Sequence, residues 1–293
     1  MSPQSKAASP GEKASEAKED ERRPHLEPDE EKKAEEEESL NANITYEAVR
    51  REGDKELSRP ASGLFWAAIA GGMSMGFSFV TEALLRAHLP DTEWRPLVTK
   101  LGYPVGFLMI SLGSQQLFTE NTITPIVPLL VARTSEMFKR VAILWFVVLL
   151  GNLLGALAFA SLVGLTDTFE PKVHVAFAAI GHEALRSGFA TTFVRGIFAG
   201  WLIALMVWML PAASSEKVTV IAVIAYLVGI GGLAHIIVGS IEVLYLVVTG
   251  AESVGTYFTG FMIPALLGNV LGGLTLATGL NHAQVTAGGG RSE

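Results

Sequence analysis

The chain has 293 residues, 49% of them hydrophobic, with a mean hydropathy of +0.39, 30 glycines and no cysteine. The apolar residues come in runs of about 20, which excludes a soluble globular domain and marks an all-α integral membrane protein; the lack of cysteine excludes disulfide and thiolate chemistry. The formal charge of -7 belongs mainly to one end, because residues 1–59 hold 17 of the 29 acids and 11 of the 22 bases.

Residues 1–44 contain runs such as Glu35-Glu36-Glu37-Glu38 and almost no large apolar residues, so they are expected to form a disordered acidic tail. Polar residues follow Met1 where a signal peptide would place its apolar stretch, so the first membrane helix is expected to act as its own insertion signal. Residues 45–59, with Tyr46, Val49 and Leu57 among charges, suit a short helix on the membrane surface. Residues 60–281 are expected to hold six transmembrane helices. The first runs from about Gly63 to Leu85. The second starts near Pro96, is interrupted at Gly113 and resumes through Thr122–Val131. The third covers Val141 to Val163, and a polar loop with Asp167, Glu170, Lys172 and Glu183 follows. The fourth covers Gly188 to Leu210. The fifth, from Val218, is interrupted around Gly229–His235 and resumes to Val248. The sixth covers Tyr257 to Leu280, and residues 282–293 form a short tail.

An even number of crossings puts both termini on one side. With the N-terminus inside, the inner segments hold Arg50, Arg51, Lys55, Arg59, Arg133, Lys139, Arg140, Lys217 and Arg291. The outer loops then hold Arg86, Arg95, Lys100, Lys172 and Arg186. This bias predicts cytoplasmic termini.

The two halves repeat. Leu149-Leu150-Gly151-Asn152-Leu153-Leu154-Gly155 in the third span matches Leu266-Leu267-Gly268-Asn269-Val270-Leu271-Gly272 in the sixth. With three spans per half, the copies face opposite ways across the bilayer. An inverted repeat with one interrupted helix in each half, spans two and five, predicts a transport site between the halves. Small residues four apart, such as Gly72/Gly76 and Gly196/Gly200, are expected to pack helices closely.

The candidate residues lie at the interruptions. His235 stands in Val228-Gly229-Ile230-Gly231-Gly232-Leu233-Ala234-His235, where unpaired backbone groups need protein or water partners. Such a histidine is either a neutral core residue bonded to carbonyls or a group beside a solute path. Thr119 in the other interruption can bond the histidine or a solute, while Glu120 and Asn121 are expected to satisfy freed backbone. Arg195, Glu242 and Glu82 are intramembrane charges, for which structural pairing is the expectation. No phosphate loop, metal-ligand spacing or nucleophile arrangement is present, so no enzyme activity, cofactor, metal or nucleic-acid partner is expected.

Leu117-Phe118-Thr119, Phe193-Val194-Arg195-Gly196-Ile197-Phe198-Ala199 and Gly232-Leu233-Ala234-His235 resemble motifs of the formate/nitrite transporter family in order and spacing over about residues 45–280. The loop Gln115 to Asn121 is similar to that of its YfdC-like branch. The resemblance implies an aquaporin-like protomer, a homopentamer in a bacterial inner membrane, and one path per protomer for small monovalent anions such as formate, nitrite or hydrosulfide. It also implies His235 as the central histidine, Thr119 as its partner, and apolar constrictions at Tyr103, Phe107 and Phe118 in one half and Ile203 and Val228 in the other. The chain departs from the family at five places. Gln116 stands where a carboxylate is usual and Glu120 where a small residue is usual. Ala184 is near the place of a lysine, with Arg186 the nearest base. Gly200 and Gly239 stand where asparagines occur.

The expected function is therefore passage of small monovalent weak-acid anions past His235. The alternatives are a channel for a small neutral or cationic solute on the same scaffold, favoured by Glu120 and the missing lysine, and a non-conducting membrane scaffold or regulatory protein.

Overall fold

The computed structural model describes residues 28–280 and 282–284. It is helical throughout, with no strand among the described residues. The chain divides into two units, residues 1–43 and 44–293. In the first, the described part is helical. The second holds the last part of α1 and every later element.

Helix α1 is Pro28–Ser58. The expected disordered tail thus divides: residues 1–27 lie outside the described residues, and 28–44 are helical. Glutamate, lysine and alanine dominate that stretch, and they are strong helix formers even where they bury nothing. In the part of α1 after Ile44, charged pairs one turn apart support the helix, as between Arg50 and Glu47 at 2.7 Å and Arg50 and Asp54 at 2.6 Å.

Among the described residues, four helices are long and apolar enough to cross a membrane: α2 (Ala61–His88), α6 (Ser135–Gly164), α8 (Phe189–Met209) and the run Val254–Thr275. The last is built from α11 (Val254–Thr256), a π-helical turn (Tyr257–Met262), α12 (Ile263–Leu271) and the start of a second π-helical stretch (Gly272–Gly279). Other elements are shorter: α3 (Arg95–Thr99), α4 (Pro104–Leu112), α5 (Ile126–Ala132), α9 (Lys217–Ile230) and α10 (Ile236–Val248). At 1.5 Å per residue, α9 and α10 are each about 20 Å long, short of the ~30 Å apolar layer.

The loop expected after α6 is a helix instead, α7 (Pro171–Leu185). Its buried residues Val173, Ala176, Phe177, Ile180 and Gly181 recur at three- and four-residue spacing, so one face packs on α10 and α2 while the polar residues face outward. Phe177 stacks against Phe79 at 4.6 Å and Tyr245 at 5.3 Å between ring centres.

Two helix pairs, α2 with α6 and α8 with α12, meet backbone to backbone. A Cβ on Gly72 would strike the Asn152 carbonyl, and one on Gly200 the Asn269 carbonyl. Without a hydrophobic force between helices in lipid, such close approach is what dispersion and packing require.

Candidate functional site

Two non-helical segments face each other in the core. One is residues 113–125 between α4 and α5, which contains a single 3-10 turn (Glu120–Thr122). The other, residues 231–235 between α9 and α10, reaches a φ of +57° at Gly232, a conformation that a Cβ would strain. Each is held by an asparagine. Asn152 on α6 donates from Nδ2 to the carbonyls of Ala68 (2.7 Å) and Gln116 (2.8 Å) and accepts from Phe118 N–H (2.8 Å). Asn269 on α12 donates to the carbonyls of Gly196 (2.9 Å) and Ala234 (2.7 Å) and accepts from Ile236 N–H (2.9 Å). The interruptions leave backbone groups that apolar surroundings cannot satisfy, and one side chain per segment satisfies two of them while also bonding a carbonyl of a neighbouring long helix.

These segments bring His235 and Thr119 together, with Nε2 and Oγ1 2.8 Å apart and both residues buried. His235 also caps α10, its Nδ1 accepting from Val238 N–H at 3.3 Å. A nitrogen that accepts carries no proton, so the neutral ring holds its proton on Nε2 and donates it to Thr119. The Thr119 carbonyl in turn accepts from the Thr122 hydroxyl (2.8 Å).

Aromatic residues close in around this pair. The Phe107 ring lies edge-on to His235 at 5.0 Å and stacks on Tyr103 at 5.8 Å, and Phe118 packs on Trp145 at 5.8 Å. Tyr103, Phe107, Phe118, Ile203 and Val228 are all buried.

A cavity opens at each end of α4 and α8. One, about 400 Å³ and called outer because the expected cytoplasmic termini would place it on the far side, is lined by Lys100, Tyr103, Arg195, His235 and Glu242 among others. The inner one, about 440 Å³, is lined by Glu56, Ser111, Gln115, Gln116, Glu120 and Asn121 among others. Tyr103 and Ser111 are separated by about 12 Å along the helix.

The polar residues of the inner loop form a chain. Glu56 of α1 accepts from Gln116 (2.8 Å), whose Oε1 accepts from Asn121 (2.9 Å), and the Asn121 carbonyl accepts from the Trp145 indole (2.8 Å). Asn121 therefore bonds side chains as well as backbone. The carboxylate missing at Gln116 is supplied from α1. Burial pushes the Glu56 carboxyl above the usual range, and Arg59, 3.2 Å away, opposes that shift. Glu120 accepts from Ser111 at 3.3 Å, with no cation at ion-pair distance among the described residues.

Of the intramembrane charges, Glu82 pairs with Lys100, and Arg195 bonds the Ser187 hydroxyl at 2.8 Å rather than an acid. Glu242, expected to pair, has no ion-pair or hydrogen-bond partner among the described residues. Lys100 supplies a base to the cavity that Ala184 also lines. Sequence reasoning placed Lys100 in an outer loop, because nothing local shows that it folds back on Glu82. Asn152 and Asn269 occupy the same place between glycines in the two copies of the repeated motif, which is the signal the sequence offers for them. Gly239 and Gly200 are required by packing: a Cβ at 239 would enter the Phe261 ring.

The formate/nitrite transporter family model matches residues 43–283. The chain belongs to the formate/nitrite transporter family. It is 38% identical over 244 residues to inner membrane protein YfdC of Escherichia coli (strain K12), covering 83% of this chain and 79% of that one. It is 29% identical to the uncharacterized transporter YrhG of Bacillus subtilis (strain 168), covering 78% of this chain and 86% of that one. Among solved structures, a pentameric formate channel with formate bound aligns with a TM-score of 0.63 at 22% identity, over 78% of this chain and 98% of that one. An ion channel of the same family aligns with a TM-score of 0.72 at 17% identity, over 82% of this chain and 99% of that one. Family members of this kind are transporters and channels, and this chain is not an enzyme.

Proposed function

We propose that this chain is a channel for small monovalent weak acids of the formate class, which cross between the two cavities past Thr119 and His235. The observation that carries the reading is the 2.8 Å bond between those buried residues, with His235 lining the outer cavity and the Phe107 ring edge-on to it. An anion entering such an apolar neck loses several kcal/mol of hydration, whereas the neutral acid crosses it cheaply. The Thr119 hydroxyl, which accepts from His235, keeps its own O–H to donate to the acid midway. Constriction falls to Tyr103, Phe107, Phe118, Ile203 and Val228.

In this reading α4 with α5 and α9 with α10 complete the second and fifth crossings, giving six spans in an inverted repeat with cytoplasmic termini. The matching asparagine clamps support that repeat. The pentameric formate channel it resembles supports a pentamer, and the inner-membrane relative supports that location.

The test is uptake of formate, nitrite and hydrosulfide into proteoliposomes at several pH values. Flux that rises with acidity and falls in His235→Ala supports the reading; flux of urea or methylammonium alone replaces it with a channel for neutral or cationic solutes. That second reading is favoured by Glu120, which lines the inner cavity beside Glu56 and Glu52. Absence of any flux leaves a membrane scaffold.

A further inference from the structure

The outer cavity contains a carboxyl without a partner. Glu242 is 8% exposed, stands on α10 two turns beyond His235 and lines the same cavity. Among the described residues it makes no hydrogen bond and no ion pair. The surrounding charges are engaged elsewhere. Lys100 holds Glu82 of α2 and attracts Glu242 only from beyond ion-pair distance. Glu183 of α7 holds Arg86 at 2.7 Å, and Arg195 of α8 donates to Ser187. Arg186 is an exposed residue of the cavity lining. The Tyr257 hydroxyl is spent on Ser240 at 3.0 Å, Tyr103 lines the wall, and the buried face of α6 carries no charge.

His235 is poorly placed to hand a proton to a solute arriving from this side. Its Nε2–H faces Thr119 and its Nδ1 is held by Val238 N–H, so either nitrogen must first give up a bond. Glu242 has nothing to give up.

We propose that Glu242 is the proton-exchange residue of the outer cavity, a role that rests on the weak-acid reading above. The carboxyl O–H bond breaks as an O–H bond forms on the entering anion. The neutral acid passes His235, and the carboxylate recovers its proton from water of the outer solution. The acid dissociates again in the inner cavity, so one anion and one proton cross together.

The chain has no cysteine, so a single thiol can be introduced by Ala184→Cys on the cavity wall. The ratio of its modification rates by a cationic and an anionic methanethiosulfonate reads the cavity charge without requiring transport. The expected ratio varies with pH when Glu242 is present, also with His235→Ala added, and becomes flat in Glu242→Gln. A ratio that keeps its pH dependence without the carboxyl, or lacks it with the carboxyl, overturns the proposal. In proteoliposomes Glu242→Gln is expected to lower formate flux near neutral pH about tenfold and to flatten its pH profile; a wild-type profile in that variant overturns the proposal as well. A wild type that passes no weak acid removes the channel reading, and the reagent ratio alone then decides whether Glu242 exchanges protons with the cavity.

Discussion

Glu56 of α1 accepts a 2.8 Å hydrogen bond from Gln116, three residues before Thr119 in the inner loop. The end of α1 is thereby tied to the loop that faces His235. Burial raises the Glu56 carboxyl above its ordinary value. A raised carboxyl stabilises the fold fully below its unfolded value of about 4.5, and that contribution is lost as pH rises through the folded value. Glu56→Gln is therefore expected to melt close to wild type near pH 4.5 and about 2 °C above it at pH 8, measured in detergent at both values. A variant that melts lower at pH 8 would show that the Arg59 pair outweighs burial.

Lys100 and Glu82 form an ion pair in which the acid is 2% exposed. Removing one partner leaves a buried charge uncompensated. Lys100→Met should cost about 3 kcal/mol, and adding Glu82→Leu should recover most of it. Chemical unfolding of the single and double variants gives the comparison, and equal instability in both would count against the pair.

Thr119→Ser keeps the hydroxyl that His235 bonds, whereas Thr119→Val removes it without changing the shape much. Formate flux near wild type in the first and reduced about tenfold in the second is expected, because the buried imidazole N–H loses its acceptor. Equal fluxes in the two variants would mean that the bond does not matter to passage.

Gly239 lies against the ring of Phe261. Gly239→Ala is expected to cost about 1–3 kcal/mol through overpacking, and Phe261→Leu should relieve it. Thermal melting of the pair checks the coupling, which should be absent if the ring simply swings aside.

The long apolar helices were legible because residues such as those of α2 and α6 are apolar over more than a full membrane thickness. Helix α7 was not, since its charges at Lys172 and Glu183 hid the spacing of Val173, Phe177 and Ile180. The two interruptions left Thr119 able to bond either His235 or a solute, and the family resemblance implied the first; nothing local relates residues 116 positions apart. Glu242 was expected to be paired because buried charges usually are. The ion pair of Lys100 goes instead to Glu82, 18 residues away, which no local sequence pattern reveals. Gln116 read as the loss of a carboxylate, and only the fold reveals that Glu56 brings one back.

The asparagine clamps have a consequence for how the protein comes apart. Each joins a long helix, a flanking helix and a loop through one side-chain amide. A loop that lifts away breaks two of these bonds at once and leaves their polar groups bare in apolar surroundings, at about 1–3 kcal/mol each. Partial fraying is thus steeply disfavoured, and each half should lose its structure in a single step. Hydrogen exchange at Phe118 and Ile236 should accordingly report global opening of the halves, even though both amides lie beside non-helical chain.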